Sequence, residues 1–267
     1  MSAVLSRPPL LSPWPATPRT PLVGPVAAVP SPHDLRVEEL AQVRAGAWFS
    51  ALSPEVQQAV LGAARVSRVA AGAVLGRRCE SARYWVGVAA GAVRLGTALH
   101  DGRMLTLDIL GPGQWFGDIA LLDDGPQDLD LTAQVPSTLL LVPRAELRRL
   151  TAESDELSSA LMKLNCQRLR HMFRRFEELH TLPLAQRLAR QVVRLARRFG
   201  RPQGTALRID LRISQADLAA LVGGSRQRVN AALRQMQADG LLLLGEARLA
   251  VLDLSGLTAL AYDEPRD

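Results

Sequence analysis

The segment 214–234 constrains the fold more than any other part of the chain, because it carries the signals of two short helices joined by a sharp turn. Ser214 can cap a first helix, and Asp217 three residues later completes a capping-box-like pair. Gly223 stands where that helix has to turn, since glycine tolerates a left-handed backbone. Ser225 can cap a second helix. The segment therefore predicts a helix-turn-helix.

The second helix of this segment keeps a polar, acid-free face after its apolar positions are assigned to packing. Those packing positions are Leu218, Val222, Val229 and Leu233, with the small Ala219 allowing a close helix crossing. Arginine can bind guanine through two hydrogen bonds, amides pair with adenine, and any cation can meet a phosphate. The alternative is an ordinary helical hairpin in a core, but caps, turn glycine and polar face agree in favouring DNA. The predicted DNA-binding residues are Ser214, Gln215, Ser225, Arg226, Gln227, Arg228, Asn230 and Arg234.

Composition favours a polyanionic partner and excludes several classes of protein. The chain has 267 residues, enough for two modest domains, a formal net charge of +6 and a pI of about 10.5. Cys79 and Cys166 are too few for a disulfide framework or a four-thiolate iron–sulfur cluster. The sequence has neither an apolar run long enough to span a bilayer nor a secretory signal pattern, so we expect a cytoplasmic protein without membrane contact.

The first half of the chain has three parts that differ in composition and in expected secondary structure. Residues 1 to about 35 are rich in proline and are expected to form a disordered arm. A helical stretch is expected around Val37 to Ala64, with Trp48 and Phe49 as anchors. Short β-prone runs separated by glycine turns then predict a small barrel or sandwich. These runs are Tyr84–Val88, Ala92–Thr97, Met104–Leu110, Leu131–Val135 and Thr138–Val142.

The region from Ala145 to Leu179 is expected to be helical, with a seam of residues spaced alternately three and four apart. Asn165 at a seam position could fix the pairing register. An amphipathic helix more commonly packs on its own barrel, but the length of the helix favours a homodimer. The predicted dimer-interface residues are Met162, Asn165, Leu169, Met172, Phe176 and Leu179.

After the long helix, a proline predicts a helix break, and the surrounding segment is rich in basic residues. Pro183 ends the long helix, and a further helix is expected from about Leu184 to Phe199. From Lys163 to Arg201 the chain has eleven Lys or Arg against two acids, which favours phosphate attraction as well as solvation. After the helix-turn-helix, two apolar runs around Gly245 predict a β-hairpin. A hairpin directly after a recognition helix is typical of a winged-helix domain.

This order of parts resembles the Crp/Fnr family of bacterial transcription regulators, over about residues 40 to 255. Its most specific pieces are the segment 213–230 and the segment Leu110-Gly-Pro-Gly-Gln-Trp-Phe-Gly-Asp-Ile-Ala-Leu-Leu. The resemblance implies an α+β protein with a jelly-roll sensory domain, a dimerisation helix and a winged helix-turn-helix domain. The expected parts are a disordered arm (1–38), a β-roll sensory domain (39–150), a dimerisation helix (151–182), a DNA-binding domain (183–258) and a tail (259–267).

The resemblance also implies roles for single residues of the helix-turn-helix. Arg226 matches the family's main base-reading arginine, and Ser214 and Ser225 match positions that touch the DNA backbone. Gln227 and Ala231 stand where cyclic-AMP-binding members have a glutamate and a second base-reading arginine. A different operator is therefore expected, with Asn230 as a candidate for part of the readout.

The sensory domain departs further from the cyclic-AMP-binding members. Their Gly-Glu pair for the ribose corresponds to Gly117-Asp118, and their Arg-Ser pair for the phosphate to Asp128-Leu129. No Lys or Arg occurs between Arg103 and Arg144, whereas six aspartates do. A buried phosphate would lack a cation there, although Arg94 or Arg103 could still reach it. The expected residues of this degenerate effector pocket are Gly117, Asp118, Ile119, Asp128, Leu129, Met172 and Phe173.

We therefore expect no cofactor: neither cyclic AMP in the usual site, nor haem on scattered histidines, nor an iron–sulfur cluster, nor a metal. The sequence also lacks the motifs of common enzyme classes, so an enzyme is not expected. The predicted function is a homodimeric regulator that binds double-stranded DNA, with RNA polymerase as a further candidate partner. The alternative is a ligand-sensing module that acts through a protein partner.

Overall fold

Two antiparallel four-stranded sheets form the first half of the chain in the computed structural model, which describes residues 35–99 and 104–262. The sheet order is β1-β8-β3-β6 in one sheet and β2-β7-β4-β5 in the other. The strands are β1 (Arg65–Val69), β2 (Val74–Gly76), β3 (Tyr84–Ala90), β4 (Val93–Ala98), β5 (Met104–Leu110), β6 (Trp115–Phe116), β7 (Asp130–Ala133) and β8 (Ser137–Pro143). The proline-rich arm predicted for 1–38 lies almost entirely outside the described residues.

All five predicted β-prone runs are strands, but β1, β2 and β6 were not predicted. The last two have three and two residues, too few to show an alternating pattern. Between β6 and β7 the chain forms a short helix, α3 (Asp118–Leu122), which starts at Gly117 with φ of 88°. A left-handed backbone of this kind favours glycine, because a side chain would clash with the main chain.

An aromatic cluster ties the N-terminal helices to the first sheet. The helices are α1 (Val37–Arg44) and α2 (Pro54–Ala63), with a 3-10 turn at Phe49–Ala51 between them. Phe49 stacks on Trp115 with ring centroids 5.7 Å apart. Trp48 meets Trp85 edge to face and donates its indole N–H to the Ala160 carbonyl at 3.1 Å. The anchoring predicted for Trp48 and Phe49 is thus confirmed.

The predicted long helix consists of two helices, α4 (Arg144–Glu153) and α5 (Asp155–Thr181). Ser154 separates them in an extended conformation, and its side chain caps α5 by accepting from the Leu157 backbone N–H. Helix α5 ends at Thr181, and Leu182 after it has the extended backbone that a following proline favours. The helix break predicted at Pro183 is confirmed.

The C-terminal part contains four helices and one four-stranded sheet of order β11-β12-β10-β9. The helices and strands are α6 (Leu184–Phe199), β9 (Gly200–Gln203), β10 (Ala206–Ile209), α7 (Gln215–Val222), α8 (Arg226–Ala238), β11 (Leu242–Gly245), β12 (Arg248–Val251) and α9 (Leu254–Tyr262). The predicted hairpin is β11–β12. Helix α9 includes residues 259–262, which were predicted as tail, because Leu257 and Ala261 are fully buried.

The observed order of a β domain, a long helix and a winged helix-turn-helix confirms the predicted α+β fold class. The two halves of the chain share a hydrophobic core, in which Ala92 and Ile109 of the β domain pack with residues of α6 and α7. Among the described residues, no helix is both long and apolar enough to cross a membrane.

Candidate nucleic-acid interface and sensory cavity

Local hydrogen bonds build the helix-turn-helix as the sequence predicted. The Ser214 hydroxyl accepts from the Asp217 backbone N–H at 3.1 Å, and the Asp217 carboxylate accepts from the Ser214 backbone N–H at 2.9 Å. Gly223 is left-handed with φ of 66°, and Ser225 caps α8 by accepting from the Arg228 backbone N–H at 3.3 Å. The capping box, the turn glycine and the second cap are all confirmed.

Apolar residues between α7 and α8 hold the two helices in one relative orientation. The four predicted packing residues are at most 3% exposed, and Ala219 is 6% exposed. The packing residues are Leu218, Val222, Val229 and Leu233. Because each removes most of its apolar surface from water, this core keeps the polar face of α8 on the outside.

The polar side chains of α8 divide into one stripe and one flank. With 3.6 residues per turn, Arg226, Asn230 and Arg234 lie within roughly 80° of each other, and Gln227 follows next to them. Arg228 lies about 200° around the helix from Arg226, so it belongs to the flank. Arg226, Gln227, Arg228 and Arg234 are exposed, and Asn230 is half-buried. The stripe can face base edges while Arg228 can meet a phosphate.

Asn230 has a partner that the sequence analysis missed. Gln215 at the start of α7 donates its side-chain N–H to the Asn230 side-chain oxygen at 3.0 Å. A two-bond contact with adenine uses both the oxygen and the nitrogen of an asparagine. The Asn230 oxygen therefore already accepts one hydrogen bond within the chain, and the side-chain N–H groups of Asn230 suit base acceptors.

The wing lies beside this stripe. Ser214, Gln215 and Arg226 line a surface groove together with Glu246 and Arg248 of the β11–β12 hairpin. The hairpin is attached to the start of the helix-turn-helix, because the Ile213 backbone N–H donates to the Ala247 carbonyl at 3.1 Å. Predicted DNA-contacting residues from both helices therefore share one surface with the wing.

A cavity of about 500 Å³ lies between the β domain and α5. It brings together six of the seven residues predicted for the effector pocket: Gly117, Asp118, Ile119, Asp128, Leu129 and Met172. Phe173 is not among the lining residues and is 63% exposed. The reason is geometric, since one step along a helix turns the side chain by about 100°.

The expectation that the cavity lacks a cation is wrong. Arg168, Arg175 and Arg198 line it, and they come from α5 and α6 rather than from the segment between β5 and β8. Of the other two candidate arginines, Arg94 is directed to Asp217, with 3.7 Å between the charged groups, and does not line the cavity, and Arg103 lies outside the described residues. Nothing within the segment 104–143 could have indicated the three arginines.

Asp118 and Arg168 form a closed pair on one side of the cavity. Asp118 is fully buried, and Arg168 Nη1 lies 2.7 and 2.8 Å from its two carboxylate oxygens. Asn165 Nδ2 donates to the same carboxylate at 2.8 Å, and Arg168 also donates to the Trp115 carbonyl. A buried carboxylate requires such partners, because an unpaired buried charge is costly.

A second group of charged side chains lines the cavity where α5 and α6 meet. Arg198 lies 2.9 Å from the Asp108 carboxylate. Arg175 donates to Gln191 Oε1 at 3.0 Å and to the Leu221 carbonyl at 2.9 Å. Burial lowers the pKa of His171, and the positive charge of Arg194 lowers it further. This region thus carries more positive than negative charge.

The outer face of α5 presents a stripe of exposed apolar side chains. The exposed members of the predicted dimer interface are Met162, Leu169, Met172, Phe176 and Leu179, of which Met162 is 70% and Phe176 65% exposed. Asn165 differs from the prediction: it turns inward to Asp118, so that its amide is engaged within its own chain. Phe173 and Cys166, both exposed, stand on the outer face instead.

Both halves of the chain match known protein families. Residues 66–154 match the cyclic nucleotide-binding domain, and residues 186–260 match the Crp-like helix-turn-helix domain. The CRP-like cAMP-activated global transcriptional regulator of Mycobacterium tuberculosis is 32% identical over 166 residues, which cover 62% of this chain and 74% of that protein. The cyclic AMP receptor protein of Thermus thermophilus is 30% identical over 175 residues, covering 66% and 78%.

A solved structure shares the fold along almost its whole length. FixK2 from Bradyrhizobium japonicum superposes with a TM-score of 0.67 at 24% identity, covering 75% of this chain and 98% of that one. The β domain, the long helix and the helix-turn-helix therefore occur together in this arrangement in another protein.

Proposed function

This chain belongs to the Crp/Fnr family of bacterial transcription regulators, and on that premise we propose that it acts as a homodimer on two-fold DNA sites in the cytoplasm. In this proposal the DNA-bound dimer regulates transcription together with RNA polymerase. The β domain serves as its sensory part, and cyclic AMP does not bind there in the usual way.

The observation that carries the DNA-binding proposal is the exposed stripe on α8. Arg226, Asn230 and Arg234 stand on one side of a helix that has no acidic residue between Arg226 and Ala238. The core with α7 holds this side outward, and the wing flanks it. Recognition helices of this kind enter the major groove with their N-terminal residues against base edges.

The apolar stripe on α5 supports the homodimer. Met162, Leu169 and Phe176 are each more than half exposed, at 70%, 53% and 65%. They are seven residues apart, so two such helices can pack along one seam with a coiled-coil repeat. Two-fold symmetry would pair two copies of α8, and operators for paired recognition helices have half-sites about one helical turn, roughly 34 Å, apart.

Selection from a random DNA pool tests this proposal directly. We expect enrichment of a sequence with two inverted half-sites whose centres lie about one helical turn apart. Sedimentation of the free protein should give a dimer, and the double variant Phe173→Glu, Phe176→Glu should give a monomer. Enrichment of a single half-site, or a parent protein that sediments as a monomer, would contradict the dimer proposal.

Two observations support the proposal that cyclic AMP is not bound in the usual way. Asp128 and Leu129 stand where an arginine and a serine would hold the phosphate. The Asp118 carboxylate, which stands for the ribose-binding group, is already occupied by Arg168 and Asn165. Calorimetric titration with cyclic AMP should show no binding in the micromolar range, and micromolar binding would overturn this part of the proposal.

A further inference from the structure

The cavity between the β domain and α5 is lined mainly by apolar side chains, with charged side chains at a few positions. Aromatic and aliphatic side chains form most of the lining, among them Trp48, Leu107, Phe116 and Leu131. The charged lining residues of α5 stand at two levels. Arg168 and Arg175 are seven residues apart, which is about 10 Å along a helix. The cavity therefore has an apolar body, and arginines of α5 line it at two separate places.

The charge at the first of these places is already neutralised. Arg168 forms two short contacts with the buried Asp118 carboxylate, at 2.7 and 2.8 Å. A ligand anion at this level would compete with Asp118 for Arg168 and would approach a buried carboxylate of the same charge. An anion is thus disfavoured at this end.

The second place carries more positive than negative charge. Two carboxylates lie near Arg175, those of Asp108 and Glu178, and Glu178 is itself paired with Arg190 and Arg194. Arg175 and Arg198 both line the cavity there, and Asp108 is paired with Arg198 at 2.9 Å. Arg175 donates to the uncharged oxygens of Gln191 and Leu221. A guanidinium has five N–H donors, so these two bonds leave donors free for a ligand.

We propose that this cavity binds a mainly apolar small molecule with one anionic group, which pairs with Arg175 beside Arg198, and that Arg175 transmits its presence to α7. The proposal rests on the sensory role given to the β domain above and specifies the chemistry of its ligand. The apolar body of the cavity accommodates the body of such a molecule. Burial gives the ion pair more weight than it would have at the surface.

Arg175 can transmit occupancy because it touches both the cavity and the helix-turn-helix. Leu221 lies in the last turn of α7, where backbone carbonyls have no partner inside the helix. A cation at this end of a helix is favourable, so Arg175 acts as a C-terminal cap of α7. An anion that draws Arg175 towards the cavity weakens this cap directly before the turn at Gly223.

Two fluorescent probes that differ in charge test the ligand class. Anilinonaphthalene sulfonate has an apolar two-ring body with one sulfonate, and N-phenylnaphthylamine is its neutral counterpart. We expect Arg175→Gln to weaken binding of the sulfonate by about tenfold, the equivalent of one buried charge-assisted hydrogen bond. Binding of the neutral probe should change by less than about twofold, since its apolar contacts remain.

Arg174→Gln is the matched control for this titration. It removes the same charge from the preceding residue of α5, but Arg174 is exposed, does not line the cavity and stands beside the exposed Phe173. Sulfonate binding on the outer face of α5 would therefore be weakened by Arg174→Gln. An effect of Arg174→Gln as large as that of Arg175→Gln overturns the proposal, as does an equal loss of both probes.

Hydrogen exchange of the peptide 215–225 tests the transmission step. The sulfonate probe should speed exchange of this peptide in the parent protein and leave it unchanged in Arg175→Gln. Arg175→Lys keeps the charge but cannot bridge Gln191 and Leu221 with one planar group, so it should retain the preference for the sulfonate and lose the exchange effect. Equal exchange in the parent with and without the probe overturns the transmission step.

Thermal melts of each variant show whether it is folded before it is titrated. No DNA is present in either measurement. A failure of operator binding in the selection experiment therefore leaves these results intact, and a failure here leaves the DNA-binding proposal intact.

Discussion

The helix-turn-helix and the sensory cavity are assembled over very different distances in sequence. The caps, turn and packing residues of the first all lie within the segment 214–234. The cavity collects side chains from Ala47 to Arg198, and its key ion pair joins residues 118 and 168. A local unit can be inferred from spacing alone, whereas a cavity depends on which distant elements the fold brings together. Four substitutions test this contrast, from the largest expected effect to the smallest.

Removing Asp118 should have the largest effect. Asp118→Ala leaves Arg168 next to a buried site without its partner, and we expect a loss of about 3 kcal/mol in the free energy of unfolding. Arg168 is 31% exposed, so water compensates part of the loss. Chemical denaturation measures it. Asp118→Asn is the control of equal size, and a cost below about 1 kcal/mol for Asp118→Ala would mean that the pair does not stabilise the β domain.

Arg226→Ala should alter DNA binding and leave the fold intact. We expect a loss of about 1–3 kcal/mol in binding to the selected site, with relaxed specificity at one base position. Fluorescence anisotropy with single-base variants of the site measures both. Arg65→Ala removes another exposed arginine, from the β domain, and controls for net charge. If Arg226→Ala and Arg65→Ala bind alike, α8 has been assigned wrongly.

The contact between α1 and the β domain predicts a specific pH dependence. Burial by itself raises the pKa of Glu39, but hydrogen bonds from Arg68, the Arg36 backbone and Thr138 outweigh it and lower the pKa from 4.5 to about 2. A depressed carboxylate pKa stabilises the fold above the unfolded value, and this stabilisation is lost as pH falls from about 4.5 towards 2.

Glu39→Gln should therefore cost about 2 kcal/mol at neutral pH and flatten the stability curve between pH 4.5 and about 2. Chemical denaturation of parent and variant at several pH values measures this difference. Glu38→Gln is the control, because Glu38 is an exposed neighbour on the same helix. Parallel stability curves for the parent and Glu39→Gln in that pH range would show that Glu39 does not act in this way.

Substitution of the capping residue Ser214 in the helix-turn-helix should have the smallest effect on stability. Ser214→Ala removes the cap of α7 and should cost about 1 kcal/mol of stability, whereas Ser214→Gly should cost only a few tenths. Thermal denaturation of both variants measures the difference. Equal losses of stability for Ser214→Ala and Ser214→Gly would indicate that Ser214 does not stabilise the protein by capping α7.

Sequence reasoning recovered the parts of the molecule whose partners are close in the chain. Ser214, Asp217, Gly223 and Ser225 occupy the predicted roles, because caps and turns depend on residues three or four positions away. The strands β2 and β6 escaped prediction, since their pairing is decided by neighbouring strands rather than by their own short pattern.

The sequence could not indicate the cations of the cavity or the orientation of Asn165. Both depend on how α5 is rotated against the β domain, and a rotation of one residue exchanges inward and outward side chains. Met172 lines the cavity although it is 40% exposed, whereas Phe173 does not line it; both were predicted to do so.

By itself the amino-acid sequence determined the helix-turn-helix, its polar face and the order of domains, because these depend on short-range backbone chemistry and on helical periodicity. Only the tertiary structure decided that Arg168 neutralises Asp118, that Arg175 joins the cavity to α7, and that Asn165 points inward. Those contacts require elements far apart in the chain to meet, and burial then selects which charged side chains can be paired.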